Sequence, residues 1–384
     1  MTTVLLVTVD LGGNVPPAIG IAAELRRRGH RVVVHGDEAV RMRAVGAGCE
    51  FALADGVAYD PLVPRSAPRT LREITRLFAD RTRGRSAIAA ARAVGADAVL
   101  VDALLLGAAA EVEAAGPPTA LLAHSTWSYF SKAFHRGPLR IALGWRGVVP
   151  EAVVAGADRV LVVSDPRLDT APLPPNAVRT GAVLQDPSTE PRRTDPPTVL
   201  LSLSTISYPG MRAALQRVLD ALGDLPVQVE VTTGPTIRGS ALRVPANATV
   251  HEFGDHGALL ARASVLVGHG GHATTVRALA HGVPVLVLPM HPMLDQPIVG
   301  REVAASGAGL AAPKSASPER IRAAVTRLLG EPAFGAAART IGTAMVARDG
   351  AAVAADELER LAGQSRPVRL QASSDSPPPL SSSK

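Results

Sequence analysis

Residues 264–296 read SVLVGHGGHATTVRALAHGVPVLVLPMHPMLDQ, and the reading of the whole chain starts from this stretch. Val265, Leu266 and Val267 run into Gly268-His269-Gly270-Gly271. A helix-period set (Thr275, Val276, Ala278, Leu279) follows, and then a second apolar run from Pro284 to Leu288. That order is strand, glycine turn, helix, strand. Glycines at such a turn let the backbone approach a ligand closely, and the first amides of the helix, at the positive end of its dipole, can hold an oxyanion. The stretch therefore reads as a seat for a diphosphate.

Side chains sharpen that reading. His269 lies inside the turn, where a protonated imidazole can donate to a phosphate oxygen, and Thr274 falls in the first helical turn, where its hydroxyl can do the same. His272 and Ala273 lie between them and count among the candidate donor contacts. The second strand ends in His291, Asp295 and Gln296, at the carboxyl edge of the sheet, where open α/β folds bind ligands. Adjacent Asp and Gln side chains suit sugar hydroxyls.

The arrangement resembles the nucleotide-sugar glycosyltransferases of the GT-B class, in the large family of plant secondary-metabolite and bacterial antibiotic glycosyltransferases. There a His-x-Gly-x-x-Ser/Thr turn holds the donor diphosphate, matched by His269, Gly271 and Thr274, and an acidic residue followed by Gln holds the sugar, matched by Asp295 and Gln296. The resemblance covers roughly residues 3–363 and implies two Rossmann-like parallel-sheet domains facing across a cleft. It also implies inverting, metal-independent transfer of a sugar, expected to be a deoxysugar, from a dTDP- or UDP-sugar to a small apolar aromatic or polyketide acceptor. The nucleotide sugar is then a co-substrate and no cofactor is needed. Ser204 and Thr205 match the small polar pair near the diphosphate, and Gly234, Phe253 and His256 lie in segments bordering the nucleotide. Phe253 can stack on a pyrimidine or serve as core. Arg277 stands where plant members carry a ribose-binding Glu, which favours a deoxyribose, and hence a dTDP, donor.

The remaining chain fits two such domains. Val4 to Val9, Pro16 to Arg28 and Arg31 to His35 read as strand, helix and strand, a βαβ unit with a right-handed crossover. Strands at Ala98 to Val101, Thr119 to Ala123 and Val160 to Val163 extend it, around a polar, proline-bearing, irregular segment from Asp55 to Gly84. Trp127, Tyr129, Phe130, Phe134 and Trp145 are five of the eleven aromatic residues; they read either as the core of a helical subdomain or, for the first four, as a pocket for a bulky acceptor. Domain one spans 1–185, a Pro- and charge-rich linker 186–197, domain two 198–363, and a Ser/Pro-rich tail, expected disordered, 364–384. Pro318 to Leu329 and Pro332 to Glu359 read as terminal helices.

Composition removes other classes. Of 384 residues 47% are hydrophobic, enough for two cores, while aromatics at 3% argue against a nucleic-acid stacking surface. The charge of +6 comes from scattered arginines, and the run Arg26 to Arg28 reads as a solvated helix face rather than a nucleic-acid patch. One cysteine, Cys49, excludes an internal disulfide framework and a multi-thiolate metal site. With no leader pattern at the start and no apolar run approaching the ~20 residues of a membrane helix, a cytoplasmic location without membrane or nucleic-acid partners is expected. A homodimer or an activator protein stays open as a protein partner. Gly268-x-Gly270-x-x-Ala273 also satisfies a loose dinucleotide fingerprint, the mark of an oxidoreductase, but the strand after it ends Leu288-Pro289-Met290, without the ribose-binding acid. No two aspartates are separated by one residue, so the Asp-x-Asp pair of metal-dependent glycosyltransferases is absent from the sequence.

The first domain departs from the resembled family in its turn after the first strand. Members carry a base there, a His in Gly-His-x-x-Pro, oriented by an Asp at a later strand end; here the turn reads Gly13-Asn14-Val15-Pro16-Pro17, with Asp102 matching the Asp. Asn14 reads as a helix N-cap or as a positioning group for an acceptor hydroxyl. The base is expected at Asp10 or Asp102, with His124, at another strand end, as the remaining candidate. A catalytically silent homologue that binds a nucleotide sugar or activates a partner stays open.

Overall fold

A computed structural model of the protein describes residues 1–63, 65–184 and 194–364. The first sheet comprises β1 (Thr3–Val7), β2 (Arg31–Gly36), β3 (Glu50–Leu53), β4 (Ala98–Asp102), β5 (Thr119–Ala123), β6 (Arg159–Val162) and β7 (Ala177–Arg179). The second comprises β8 (Thr198–Ser202), β9 (Gln228–Thr232), β10 (Ala248–His251), β11 (Ala263–Gly268), β12 (Val285–Val287) and β13 (Gly309–Ala311). Their orders are 3-2-1-4-5-6-7 and 10-9-8-11-12-13, and every pairing is parallel. Parallel sheets need cover on both faces, which explains the apolar runs of β1, β4, β5, β8 and β11. Separate apolar clusters line the two faces of each sheet.

Register decides what meets at the carboxyl edges. Val7 pairs with Val101, and Asp102 with Leu122, so the chain leaving β1, β4 and β5 emerges side by side. In the second sheet Gly268 pairs with both Ser202 and Val287, which brings the segments after β8, β11 and β12 together. The two edges touch: the Ser125 hydroxyl donates to Asp295 at 2.9 Å, and Ile298 is buried in the first domain's core.

Three expectations need correction. The segment from Asp55 to Gly84 is not irregular throughout, because Ala67–Phe78 is a helix and Arg81–Val94 begins another. Leu71, Ile74, Leu77 and Phe78 recur at helical spacing, and Asp80 caps the second helix by accepting from Thr82 N at 2.9 Å. Within that helix Arg83 is fully buried and donates to Asp37 at 2.8 Å and to the Val57 carbonyl at 3.3 Å.

Pro332 to Glu359 is two helices, Pro332–Ala347 and Gly350–Ala362, divided where Asp349 accepts from the amides of Ala351 and Ala352. Domain two does not hold all of 198–363 either, since the last of these helices packs on the first sheet's core through Ala354, Ala355, Leu358 and Leu361. Arg28 fastens it through Asp356 at 2.6 Å and the Ala352 carbonyl at 3.0 Å. Residues 185–193, most of the expected linker, and the tail from 365 onward lie outside the described residues. Among the described residues no helix is long and apolar enough to cross a membrane.

Candidate active site

The strand, glycine turn and helix expected around residues 264–280 are present. After β11 the chain turns at Gly270, whose φ is +83°; a Cβ there would lie 2.5 Å from Val287 Cγ1 and 3.0 Å from the Gln296 carbonyl, so only glycine fits. Helix His272–Ala280 follows with no side-chain cap and no acid in its first turn. His272 N donates to Asp295 at 3.3 Å, and the amides behind it carry the positive end of the dipole. His269 Nδ1 is buried and makes no hydrogen bond among the described residues. Burial pushes the His269 pKa down to about 4, so the ring is neutral and offers one N–H, where the sequence suggested a protonated imidazole. Thr274 and Ala273 are half-buried beside it.

Asp295 and Gln296, expected to hold the sugar, divide their labour. Asp295 accepts from Ser125 Oγ and from His272 N, and burial raises its pKa. Gln296 is buried, and its side-chain oxygen accepts from the amides of Met290 (2.7 Å) and His291 (3.0 Å). The expected sugar partner thus uses its carbonyl to brace the loop after β12, and its side chain also hydrogen-bonds Tyr208. His291 Nδ1 accepts from Met293 N at 3.3 Å, and burial together with Lys314 lowers its pKa.

Two residues in this region escaped the sequence reading. Lys314 donates to the carbonyls of Pro209 (3.1 Å) and Met290 (3.0 Å), locking the loops after β8 and β12 together. The Tyr208 ring stands 6.5 Å from His269 and 6.1 Å from His291. An aromatic six residues beyond β8, at the ligand-binding edge, was the available signal.

At the nucleotide end, Ser204 Oγ accepts from Ile206 N at 3.0 Å, and Thr205 is exposed. Gly234 (φ +62°) comes so near Thr205 that a Cβ would lie 3.1 Å from its Cα. Phe253 is 67% exposed, which removes the core reading and leaves its face free. His256 Nε2 lies 3.3 Å from Thr232 Oγ1 and 3.4 Å from Ser202 Oγ; burial and then the Arg277 charge lower its pKa.

The first domain contributes a buried polar network. Asn14 Nδ2 donates to Asp102 Oδ2 at 2.6 Å and to the Val9 carbonyl at 2.7 Å, and its Oδ1 accepts from Leu11 N at 3.0 Å. Asn14 precedes helix Val15–Arg27 but makes no side-chain cap bond, which corrects the cap reading: the side chain turns back to the strand ends. Asp102 is buried and also accepts from Leu104 N at 2.9 Å and from Thr8 Oγ1 at 3.4 Å. Thr8 was missed because the β1 to β4 pairing alone brings it there. His124 Nδ1 lies 3.6 Å from Asp102 Oδ1.

Asp10, the other carboxylate expected as base, stands apart from this network, accepting from Gly12 N at 2.8 Å and pairing with Arg43 at 3.2 Å in the manner of a turn brace. The acceptor assignments of Trp127, Tyr129, Phe130 and Phe134 are corrected as well. All four are buried, with Phe130 5.2 to 6.5 Å from the other three rings, so they fill a core. The crevice between the domains, bordered by Pro16, Pro17, His124, His272 and Arg277, has about 20 Å³, room for roughly one water.

Residues 216–361 match the family model described as erythromycin biosynthesis protein CIII-like, C-terminal domain. The crystal structure of CalG4, a calicheamicin glycosyltransferase, superposes with a TM-score of 0.76 at 22% identity, covering 96% of this chain and 100% of that one. The chain has the GT-B fold. A second GT-B structure, VinC in complex with dTDP, gives 0.70 at 22% identity over 95% of this chain and all of its own. In sequence the chain is 35% identical over 200 residues to a PGL/p-HBAD biosynthesis glycosyltransferase of Mycobacterium tuberculosis. That match spans 50% of this GT-B chain and 45% of the relative, under half of its length.

Proposed function

We propose that the chain is an inverting, metal-independent glycosyltransferase that moves a sugar, with a deoxysugar as the expected cargo, from a dTDP- or UDP-sugar to an apolar aromatic or polyketide acceptor. The observation that carries this reading is the N-terminus of helix His272–Ala280, whose N-cap Gly271 supplies no side chain and whose first amide is met by Asp295, seated behind the Gly270 turn and facing a second parallel-sheet edge across a cleft. A dTDP donor is favoured by Arg277, whose charge bears on His256 at the nucleotide end, and dTDP is the nucleotide bound to VinC. The acceptor oxygen attacks the anomeric carbon while the bond to the diphosphate breaks. The charge that builds on the leaving group is met by the His269 N–H, the Thr274 hydroxyl and the helix amides, preorganised donors each of which is worth about 3–4 kcal/mol at such a site. The crevice at His124 holds about one water, so the domains part to admit substrates.

One observation favours a second reading, a silent homologue that binds nucleotide sugar or activates a partner: the group bonded to Asp102 from the turn after β1 is the Asn14 amide, which accepts no proton. Incubation with dTDP- and UDP-sugars and a panel of phenolic and polyketide acceptors, read by mass spectrometry, separates the two. Sugar-mass adducts support transfer; nucleotide binding without adducts supports the silent homologue. Titration calorimetry with UDP binding at least tenfold tighter than dTDP overturns the donor assignment.

A further inference from the structure

We propose that His124 is the general base of this transfer, oriented by Asp102, so that the proton-accepting imidazole stands at the end of β5 rather than in the turn after β1. The inference rests on the glycosyltransferase reading above and adds the identity of the base. The other candidates are occupied. The slot beside Asp102 is filled by the Asn14 amide at 2.6 Å, and Asp102 itself, buried and accepting from Asn14, Thr8 and Leu104, has no surface to present to an acceptor. Asp10 is held by Gly12 N and Arg43.

His124 has what these groups lack. Its Nδ1 edge faces Asp102 Oδ1 at 3.6 Å, and the ring meets Phe130 edge-on at 5.4 Å and 90°, which sets its plane. The side chain is 13% exposed and borders the crevice between the domains, and its buried Nδ1, the atom nearest Asp102, makes no hydrogen bond among the described residues. The next residue, Ser125, donates to Asp295, so the end of β5 is tied directly to the sugar-side carboxylate. The imidazole thus stands between Asp102 from β4 and Asp295 at the head of helix Gln296–Ala305, with His272 from the helix behind the glycine turn as its third titratable neighbour. His272 and His269 are both driven down to about 4 by burial and are poor proton acceptors at neutral pH.

The step balances without any further reagent. The acceptor O–H proton passes to His124 Nε2 as its oxygen bonds to the anomeric carbon, and the electron pair of the anomeric C–O bond leaves with the diphosphate. The imidazolium is stabilised by Asp102 through Nδ1–H and releases its proton to water when the domains part.

The test is His124→Gln, assayed for kcat and kcat/KM with a dTDP-sugar and a series of phenols of graded acidity, alongside dTDP affinity by calorimetry. Turnover should fall by about 10²–10⁴-fold with dTDP affinity held within threefold, the loss shrinking for the most acidic phenol, and the acid limb of the wild-type pH profile should vanish. Retention of more than a third of wild-type turnover, or an equal loss for every phenol, overturns the assignment. Should the variant fail to fold, Asp102→Asn decides: the acid limb of its profile should move to lower pH, and an unmoved limb overturns the proposal. Wild-type protein that forms no adduct with any donor and acceptor overturns the glycosyltransferase reading itself, and that result is distinct because it precedes every variant.

Discussion

The two sheet edges that meet at the cleft are built on opposite plans. The edge of the second domain is a backbone device: a glycine at φ +83° that tolerates no Cβ, a helix start whose N-cap glycine supplies no side chain, and imidazoles kept neutral by burial. The edge of the first is a side-chain device, in which Thr8, Asn14, Asp102 and His124 converge from the ends of three strands. A backbone seat can bind an anion whatever its neighbours are, whereas a side-chain network changes its chemistry with one substitution. Here the group bonded to Asp102 is the Asn14 amide, which donates and accepts no proton.

The difference can be probed in order of expected effect. His269→Ala should depress turnover by about two to three orders of magnitude, the loss of one preorganised donor, with steady-state kinetics on a dTDP-sugar as the check. A variant that keeps most of its activity separates the imidazole from the phosphate. On the other edge, Asn14→Ala leaves Asp102 Oδ2 with the long Thr8 hydroxyl bond at 3.4 Å in place of its 2.6 Å donor, and removes the Asn14 partner of the Val9 carbonyl and the Leu11 amide. It should cost about 2–3 kcal/mol in urea unfolding, and a loss below about 0.5 kcal/mol would mean that the network is not sealed from water.

Two buried groups sharpen the contrast through pH. His272, at about 4 when folded against 6.5 for the free group, binds less proton in the native state, so stability is lost as pH falls from 6.5 toward 4. His272→Gln should flatten that acid limb in thermal unfolding. Glu302, on helix Gln296–Ala305, is raised to about 8, first by burial and then by Asp169. The native state therefore binds the extra proton between 4.5 and 8, stability falls as pH rises through that window, and Glu302→Gln should unfold at a higher temperature than the parent at pH 8. The smallest effect belongs to Phe253, which at 67% exposure contributes little to folding. Phe253→Ala should leave stability within about 0.5 kcal/mol while weakening dTDP binding by about 1 kcal/mol if the ring stacks on the base.

How legible each edge was follows from the same contrast. The donor seat is local: strand, turn and helix follow one another from Ala263 to Ala280, so glycine spacing and helical period disclose it. The network around Asp102 is non-local, assembled by the β1-β4-β5 order from residues up to 116 positions apart, and no pattern in the chain announces that Thr8 or His124 belongs to it. The aromatic run from Trp127 to Phe134 looked equally like core and pocket, because packing density is not written in residue type; its burial decided the matter. Helix Gly350–Ala362 reads as a helix from its period, but the domain it joins depends on contacts with Arg28, β4 and β6 that only the fold supplies. Helix Ala67–Phe78 was hidden by its proline and its three arginines and glutamate, which cover the face opposite Leu71 and Ile74.

The most direct test of the account is a crystal structure of the protein with dTDP bound. Both phosphorus atoms should lie at the head of helix His272–Ala280, with phosphate oxygens within hydrogen-bond reach of the Thr274 hydroxyl, the leading amides and His269. A diphosphate held anywhere else in the cleft, with that helix start untouched, would contradict it.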